Sequence, residues 1–160
     1  MYTTDDDESF WPSGNKSCFF LSFDYDSSSA EMWKTPNDIV SQSKGAYAHK
    51  VAVPRILEML DELEIKTTFF VPGWTADNHP ESVKEIIRRG HEIGAHSYMH
   101  ERITEVSFEA EKSIFDRSMS SLAAVGAKPV GYRAPYWLDN NRRSSFYLPK
   151  TFWICDIYNE

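Results

Sequence analysis

Apolar and polar residues follow two different spacings along this chain, and the spacing changes from one short block to the next. Four apolar or β-branched runs predict buried strands over residues 18–23, 65–71, 91–95 and 129–133. Between these runs, apolar residues that recur every three to five positions predict amphipathic helices over 49–63, 80–90 and 108–125. Residues 27–48 show no clear period and are predicted to form a long loop.

The alternation of strands and helices is typical of α/β proteins, in which parallel strands are joined by right-handed crossovers. Such proteins build their functional sites at the carboxyl ends of the strands. Three of the predicted strands are followed at that end by polar or aromatic clusters, at residues 24–26, 96–101 and 133–137. The sequence therefore predicts one site that is assembled from three distant segments.

The first cluster, Asp24-Tyr25-Asp26, places two carboxylates two positions apart. Side chains alternate along an extended strand, so both carboxylates point the same way if the strand geometry continues. Alternatively, the aspartates only cap the serine-rich loop that follows them.

The second cluster contains His96 and His100, four positions apart and followed by Glu101. Two imidazoles at this spacing can face one divalent ion, and a carboxylate from another segment would complete three protein ligands with a position left for water. Histidines at this spacing also occur by chance on helix surfaces. The third cluster, residues 133–137, is a rigid aromatic segment with one cation, Arg133, for which a surface ion pair is the alternative.

Composition and charge narrow the class of protein. The 160 residues are enough for one domain with a real core, and 41% hydrophobic with 26% charged residues is typical of a globular protein. The net charge of −7 argues against a nucleic-acid partner. No run reaches the roughly 20 apolar residues of a membrane span and the N-terminus is acidic, so we expect a cytoplasmic protein without a membrane partner. Cys18 and Cys155 are expected to be free thiols.

Three motifs, taken together and in this order, resemble those of a known family. Ser22-Phe23-Asp24-Tyr25-Asp26, His96-Ser97-Tyr98-Met99-His100 and Arg133-Ala134-Pro135-Tyr136 are similar to the first three motifs of the polysaccharide deacetylase family, the NodB homology domain of carbohydrate esterase family 4. Phe70-Val71-Pro72-Gly73-Trp74 and Glu101 resemble the branch with peptidoglycan-deacetylase-like, allantoinase-like and cyclic-imide-hydrolysing proteins. The resemblance implies an α/β fold, a partial distorted (β/α) barrel with about four βα units. Its domain would span 17–138, between an acidic tail over 1–16 and an atypical segment over 139–160.

The resemblance also implies a hydrolase that cleaves carbon–nitrogen bonds other than peptide bonds with one divalent metal ion, commonly zinc. Asp26, His96 and His100 would bind the metal, and Asp24 would be the general base. Arg133 would orient Asp24 through a charge-assisted pair. The resemblance further implies that the substrate is bound by Trp74, Glu101, Pro135, Tyr136 and Trp137. The backbone N–H of Tyr136 would in addition donate to the developing oxyanion.

Two features depart from the pattern of the family. Tyr25 separates aspartates that are adjacent in typical members, which disfavours chitin or xylan and leaves an N-acetylated sugar, a ureide such as allantoin, or a cyclic imide as the substrate. No histidine follows His100, so the later motif that supplies a general acid has no counterpart. We therefore expect a C-terminally truncated chain with an open sheet edge, which would turn over poorly and form homo-oligomers. A non-catalytic remnant that binds metal or sugar, and a purely structural domain, are the alternatives.

Overall fold

Five parallel strands form a single sheet in the computed structural model, which describes residue 17, residues 19–137 and the backbone of residues 153–154. The strands are β1 (Ser22–Asp24), β2 (Thr68–Val71), β3 (Glu92–Ala95), β4 (Gly131–Tyr132) and β5 (Trp153–Ile154). They lie side by side in chain order, with registers such as Asp24 opposite Phe70 and Ala95 opposite Tyr132. The carboxyl ends of β1 to β4 therefore line one edge. Over the described residues the sheet is open, as in part of a (β/α) barrel, and this confirms the predicted fold class.

The described residues also form six α-helices. They are α1 (Ser29–Lys34), α2 (Ile39–Tyr47), α3 (Val53–Glu62), α4 (Gly73–Asn78), α5 (Pro80–Arg88) and α6 (Phe108–Ala124). A π-helical segment, Ala48–Ala52, joins α2 to α3, and short 3₁₀ turns span Ile103–Glu105 and Pro135–Trp137. Each strand from β1 to β3 is followed by helices before the next strand begins, as the alternation in the sequence predicts.

The observed helices α3, α5 and α6 confirm the three predicted helices. The prediction succeeded because the ends and the buried faces of these helices are marked by local sequence signals. Helix α5 starts with Pro80 in its first turn, and Gly90 follows its end with a φ of 80°. The Ser107 side chain accepts a hydrogen bond from the Ala110 backbone N–H at 3.2 Å and caps the start of α6. One face of each helix is buried, represented by Leu57 and Leu60 in α3.

The prediction of a long loop over 27–48 is wrong, because this segment contains α1 and α2. No residue of α2 is buried, and Ile39 and Val40 are 79% and 70% exposed. A helix with no buried face has no reason to show an amphipathic period, so the sequence pattern missed it. Its start is defined locally instead, since the Asp38 carboxylate accepts a hydrogen bond from the Ser41 N–H at 3.1 Å.

Three further differences concern the short elements. Strand β1 begins at Ser22 rather than at residue 18, and helix α4 was not predicted. Strand β5, within the segment described above as atypical, pairs with β4 and was not predicted either. Cys18, Cys155 and the tail over 1–16 lie outside the described residues, so the expectations for them stay predictions.

The buried core lies between the sheet and the helices. All four residues of β2 are buried, as expected for a parallel strand covered on both faces. The core also contains Leu57, Ile86, Phe115, Leu122 and Tyr132. Over the described ranges, no helix has both the length and the apolar character that crossing a membrane requires.

Candidate metal centre and catalytic site

The two aspartates of the first cluster lie where β1 ends. The Tyr25 N–H donates to the Phe70 carbonyl at 2.8 Å, so the chain still follows β2 for one residue beyond the strand, and the Tyr25 side chain is buried in the core. Asp24 and Asp26 flank Tyr25 and stay partly exposed, with 30% and 33% of their side-chain surface accessible. Because Tyr25 turns inward, the alternation expected of a strand brings both carboxylates to the same edge of the sheet.

The two histidines belong to a tight loop after β3, residues 96–101, here called the histidine loop. Ser97 and His100 have φ values of 62° and 60°, a left-handed conformation that non-glycine residues adopt only when the surroundings hold them there. The buried Glu101 carboxylate accepts hydrogen bonds from the Ser97 hydroxyl and from the N–H groups of Tyr98 (3.1 Å) and Met99 (2.9 Å). Glu101 therefore stabilises the conformation of the histidine loop through hydrogen bonds within the loop.

Neighbouring helices hold the same loop from outside. The N–H groups of Gly73 and Trp74, at the start of α4, donate to the carbonyls of Ser97 (3.1 Å) and Tyr98 (2.8 Å). The Ser118 hydroxyl of α6 donates to the Ser97 carbonyl at 2.6 Å. A side chain at Gly73 would not fit, because its Cβ would lie 2.8 Å from the Ser118 Cα. This close approach explains the glycine and fixes the loop relative to two helices.

The structure brings Asp26, His96 and His100 together, with one ligand atom of each within 4.8 Å of the others. His96 Nε2 lies 3.6 Å from Asp26 Oδ1, and His100 Nε2 lies 3.6 Å from Asp26 Oδ2. His96 Nδ1 donates to the Arg133 carbonyl at 2.7 Å, so the Nε2 lone pair is left to face Asp26. This is the tautomer that a metal-binding histidine adopts when its other nitrogen is held by a carbonyl.

Three polar atoms in this cluster are buried without a hydrogen-bond partner in the described part of the chain: Asp26 Oδ1, His96 Nε2 and His100 Nδ1. Burial lowers the pKa of both histidines, so their neutral, metal-binding form is favoured at neutral pH. Burial also raises the pKa of Asp26, opposed by His96 and reinforced by the nearby Asp24. Asp26 Oδ1 and His96 Nε2 face each other at 3.6 Å, and among the described residues each is buried without a hydrogen-bond partner. A divalent cation would satisfy both atoms, so the three side chains fit a metal ion such as zinc.

Asp24 lies next to the candidate metal cluster of Asp26, His96 and His100 but is paired with a different group. The Arg133 guanidinium donates to Asp24 Oδ1 and to the Ser22 hydroxyl, the latter at 2.8 Å. It also lies between two aromatic rings, 3.9 Å from the Phe70 centroid and 4.2 Å from the Trp137 centroid. Two hydrogen bonds and two ring contacts thus position the Arg133 guanidinium, which binds the Asp24 carboxylate at the carboxyl end of β1.

The aromatic segment after β4 forms one side of the site. The Tyr136 ring lies 4.6 Å from the His100 ring, centroid to centroid, in an edge contact. Tyr136 and Trp137 have φ values of 62° and 58°, and such strained backbone is typical of functional sites. Trp137 is 38% exposed, whereas Pro135 is buried. The half-buried Tyr136 therefore borders the candidate metal cluster through His100, whereas the exposed Trp137 contacts Arg133.

Two other residues that the sequence assigned to substrate binding have different neighbours. Trp74, on α4, makes an edge contact of 5.8 Å with the His79 ring. Glu101 is 3% exposed and directs its carboxylate to the histidine loop. Their assignment to substrate binding stays a prediction, but the contacts of Glu101 are those of a residue that positions the histidines.

Sequence reasoning missed several partners of the site. Ser22, Phe70 and Ser118 each contact a residue of the three clusters. Ser22 and Phe70 lie in motifs that the sequence singled out, but neither was given a role, and Ser118 belongs to an ordinary helix pattern. Lys34 lies 4.7 Å from the Tyr136 ring although more than a hundred positions separate them along the chain. No local spacing signals such contacts, because they depend on how distant segments pack.

Comparisons with known proteins show to which family this chain belongs. The family model described as polysaccharide deacetylase matches residues 13–145. A peptidoglycan deacetylase of Helicobacter pylori is 32% identical over 119 residues, covering 74% of this chain and 40% of the relative. A crystal structure of a candidate polysaccharide deacetylase from Mycobacterium smegmatis has a TM-score of 0.81 at 38% identity, covering 86% of this chain and 51% of that one. An allantoinase structure has a TM-score of 0.75 at 20% identity, covering 88% and 54%, which is a likeness of fold. The chain thus spans about two fifths of the H. pylori relative's length.

Proposed function

This chain belongs to the polysaccharide deacetylase family, and we propose that it hydrolyses N-acetyl groups of an amino-sugar polymer of the peptidoglycan kind with the help of one divalent metal ion. The observation that carries the proposal is the pairing of two units at one sheet edge. One unit is the Asp26, His96 and His100 cluster, and the other is Asp24 held by Arg133. A metal site beside a carboxylate that does not bind the metal is what metal-assisted amide hydrolysis requires.

In the reaction, water adds to the acetyl carbonyl carbon, the carbon–nitrogen bond breaks, and acetate and a free amine are released. Asp26, His96 and His100 would hold a divalent ion, which would act as a Lewis acid and lower the pKa of a bound water toward ~7. Asp24 accepts the proton of the attacking water, and Arg133 keeps its carboxylate oriented for this transfer. The leaving nitrogen takes up its proton from solvent, which balances the reaction. The backbone N–H of Tyr136 is the proposed donor to the developing oxyanion.

An acetylated sugar is the better supported substrate among those that the sequence left open. The H. pylori relative, at 32% identity, is named as a peptidoglycan deacetylase. The allantoinase neighbour is only 20% identical, and its likeness concerns the fold. Trp137 is 38% exposed and lies over Arg133, the partner of Asp24, so the part of its ring that Arg133 leaves open is available for a sugar.

Substitutions of the two aspartates test the proposal. Asp24→Asn is expected to keep one zinc ion per chain while hydrolysis of an N-acetylglucosamine oligomer falls by about 10²–10⁴, since a general base contributes that much and makes no metal bond. Asp26→Asn is expected to lose both zinc and activity. Zinc is measured by elemental analysis after dialysis, and acetate release measures activity.

The control is Asp116→Asn, which removes an exposed carboxylate on α6. The opposite pattern, with zinc lost in Asp24→Asn and kept in Asp26→Asn, would show that the two roles are exchanged. Parallel assays with allantoin and with a cyclic imide decide the substrate class. Hydrolysis of either one without release of acetate from the sugar would overturn the proposed substrate.

A further inference from the structure

The backbone carbonyl of Asp26 is bound by a hydroxyl from a distant part of the chain. The Thr75 hydroxyl, on α4, donates to the Asp26 carbonyl oxygen at 2.8 Å, across 49 positions of sequence. Thr75 is 0% exposed, so this bond is shielded from water. A threonine inside a helix can donate to a carbonyl of its own helix, one turn earlier. The Thr75 hydroxyl instead joins α4 to a candidate metal ligand.

Asp26 lies just beyond the end of β1. The Tyr25 N–H makes the bond to β2 described above, and Asp26 is the next residue. The chain then turns away from the sheet at Ser27, whose φ is 53°. The Ser29 N–H also donates to the Asp26 carbonyl, at 3.1 Å, but this bond lies within the turn and moves with it. The Thr75 bond, by contrast, ties the Asp26 backbone to a neighbouring helix.

The same turn of α4 also binds the loop that carries the other two candidate ligands. The N–H groups of Gly73 and Trp74 donate to carbonyls of the histidine loop, and Thr75 is the next residue of α4. Three consecutive residues of one helix therefore bind both segments from which the metal cluster is built. A hydrogen-bonded helical turn is stiffer than a loop, so it can hold these two segments at a constant separation.

Metal binding depends closely on that separation. A zinc–oxygen bond measures about 2.0–2.2 Å, and the ligands of a site keep such distances within about 0.2 Å. We propose that Thr75 is a positioning residue of the candidate metal centre, whose hydroxyl holds Asp26 at the distance from His96 and His100 at which the three side chains bind one ion. This inference rests on the metal centre of the proposed function and does not depend on the substrate.

Two substitutions at this position separate the hydroxyl from the rest of the side chain. Thr75→Val removes the hydroxyl and keeps the branched shape, whereas Thr75→Ser keeps the hydroxyl. In Thr75→Val the Asp26 carbonyl retains its bond from the Ser29 N–H, so this acceptor is not left unpaired. We expect zinc affinity to fall about tenfold in Thr75→Val and to stay within about twofold of the parent in Thr75→Ser, as for partners that orient metal ligands. Competition with a chromophoric chelator measures the affinity.

Thr67→Val is the matched control. The Thr67 side chain is also buried, and its hydroxyl donates to the Leu21 carbonyl, just before β1 begins. This variant therefore removes the same kind of bond at the opposite end of β1. Both valine variants are expected to lower the urea midpoint of the metal-free protein, because each loses a buried hydrogen bond. Only Thr75→Val is expected to weaken zinc binding and to change the visible absorption spectrum of the cobalt-substituted protein, which reports the geometry of the ligands.

The outcomes separate this inference from the proposed function. Unchanged zinc affinity in Thr75→Val would overturn the role of Thr75, even in a parent protein that releases acetate from an N-acetylglucosamine oligomer. Equal losses of affinity in Thr75→Val and Thr67→Val would also overturn it, because the effect would then follow general stability. The same holds if Thr75→Ser binds zinc as weakly as Thr75→Val, because the hydroxyl would not be responsible. Zinc binding that depends on the Thr75 hydroxyl in a protein that releases no acetate would support the positioning role and contradict the proposed activity.

Discussion

One hydrogen bond decides what His96 can do chemically. Its Nδ1 donates to the Arg133 carbonyl, so Nε2 must be the nitrogen that faces Asp26. The same residue, Arg133, uses its guanidinium to hold Asp24. A single residue of the third cluster therefore orients a ligand of the candidate metal site with its backbone and the candidate base with its side chain.

Loss of either histidine is expected to abolish zinc binding. Asp26, His96 and His100 provide three protein ligands, and a zinc site rarely survives the removal of one of them. We expect about one zinc per parent chain and none retained by His96→Ala or by the variant that combines it with His100→Ala. Zinc content is measured after dialysis against a weak chelator.

His79→Ala is the control, because His79 stacks on His49 and does not belong to the cluster. Full zinc occupancy in the double His96 and His100 variant would show that other residues bind the zinc.

At the scale of elements, the histidine loop is held by contacts that the spacing of its histidines does not reveal. Glu101 binds the loop from within, while α4 and α6 bind its carbonyls from outside. Ser97 and His100 can keep a left-handed backbone because the hydrogen bonds from both sides offset the cost of this unfavourable conformation. The geometry of the two candidate metal ligands is thus a property of three packed elements.

Glu101→Ala is expected to damage this loop without removing a metal ligand. Partners that support metal ligands typically contribute 10–100-fold in metal affinity, and we expect a loss of about that size. The free energy of unfolding should fall by about 1.5–3 kcal/mol, the usual value of hydrogen bonds to a buried charge. Zinc titration and urea denaturation measure the two effects.

Glu101→Gln should lie between the parent and Glu101→Ala, because the amide retains one accepting oxygen. Glu105→Ala, at an exposed position nearby, is the control. If zinc affinity in Glu101→Ala stayed at the parent value, the carboxylate would not be what positions the histidines.

At the scale of the whole molecule, the parallel sheet gathers chemistry from three parts of the chain that are far apart in sequence. Asp24 follows β1, the histidine loop follows β3, and Arg133 follows β4. Since the strands lie in chain order, their carboxyl ends share one edge, and the site forms only when the sheet has formed. Metal binding and folding are therefore expected to be coupled.

The histidines make the stability of the metal-free protein depend on pH. Burial is the main cause that lowers the pKa of each of the five histidines in the chain. The unfolded chain, with ordinary histidine pKa values near 6.5, then binds more protons than the folded chain below that pH. Stability is consequently lost as the pH falls below about 6.5. The raised pKa of Asp26 acts in the opposite direction but concerns one group.

We expect the urea midpoint of the metal-free protein to be lower at pH 5.5 than at pH 7.5. Zinc should widen the difference, because its ligands must be deprotonated. His91→Gln is expected to narrow it, since the buried His91 Nδ1 accepts from the Thr67 N–H at 3.3 Å and loses this bond on protonation. Equal midpoints at the two pH values, or a higher one at pH 5.5, would contradict this account.

The sequence by itself determined the α/β alternation and the clusters from which the site is built. Helices α3, α5 and α6 bury one face, so their apolar residues must recur at helical spacing. Strand β2 is buried on both faces and reads as a continuous apolar and β-branched run. Such signals are local, because the polarity of a residue indicates whether it lies on the buried or the exposed side of its own helix or strand.

Only the tertiary structure decided which residues meet. Helices α1 and α2 escaped detection because they bury little, and α1 nonetheless brings Lys34 to Tyr136. The inward direction of the Glu101 carboxylate and the place of Arg133 between Phe70 and Trp137 likewise leave no trace in spacing. The physical reason is that periodicity reports burial along one segment, whereas contacts between segments depend on strand register and helix packing, which are properties of the whole fold.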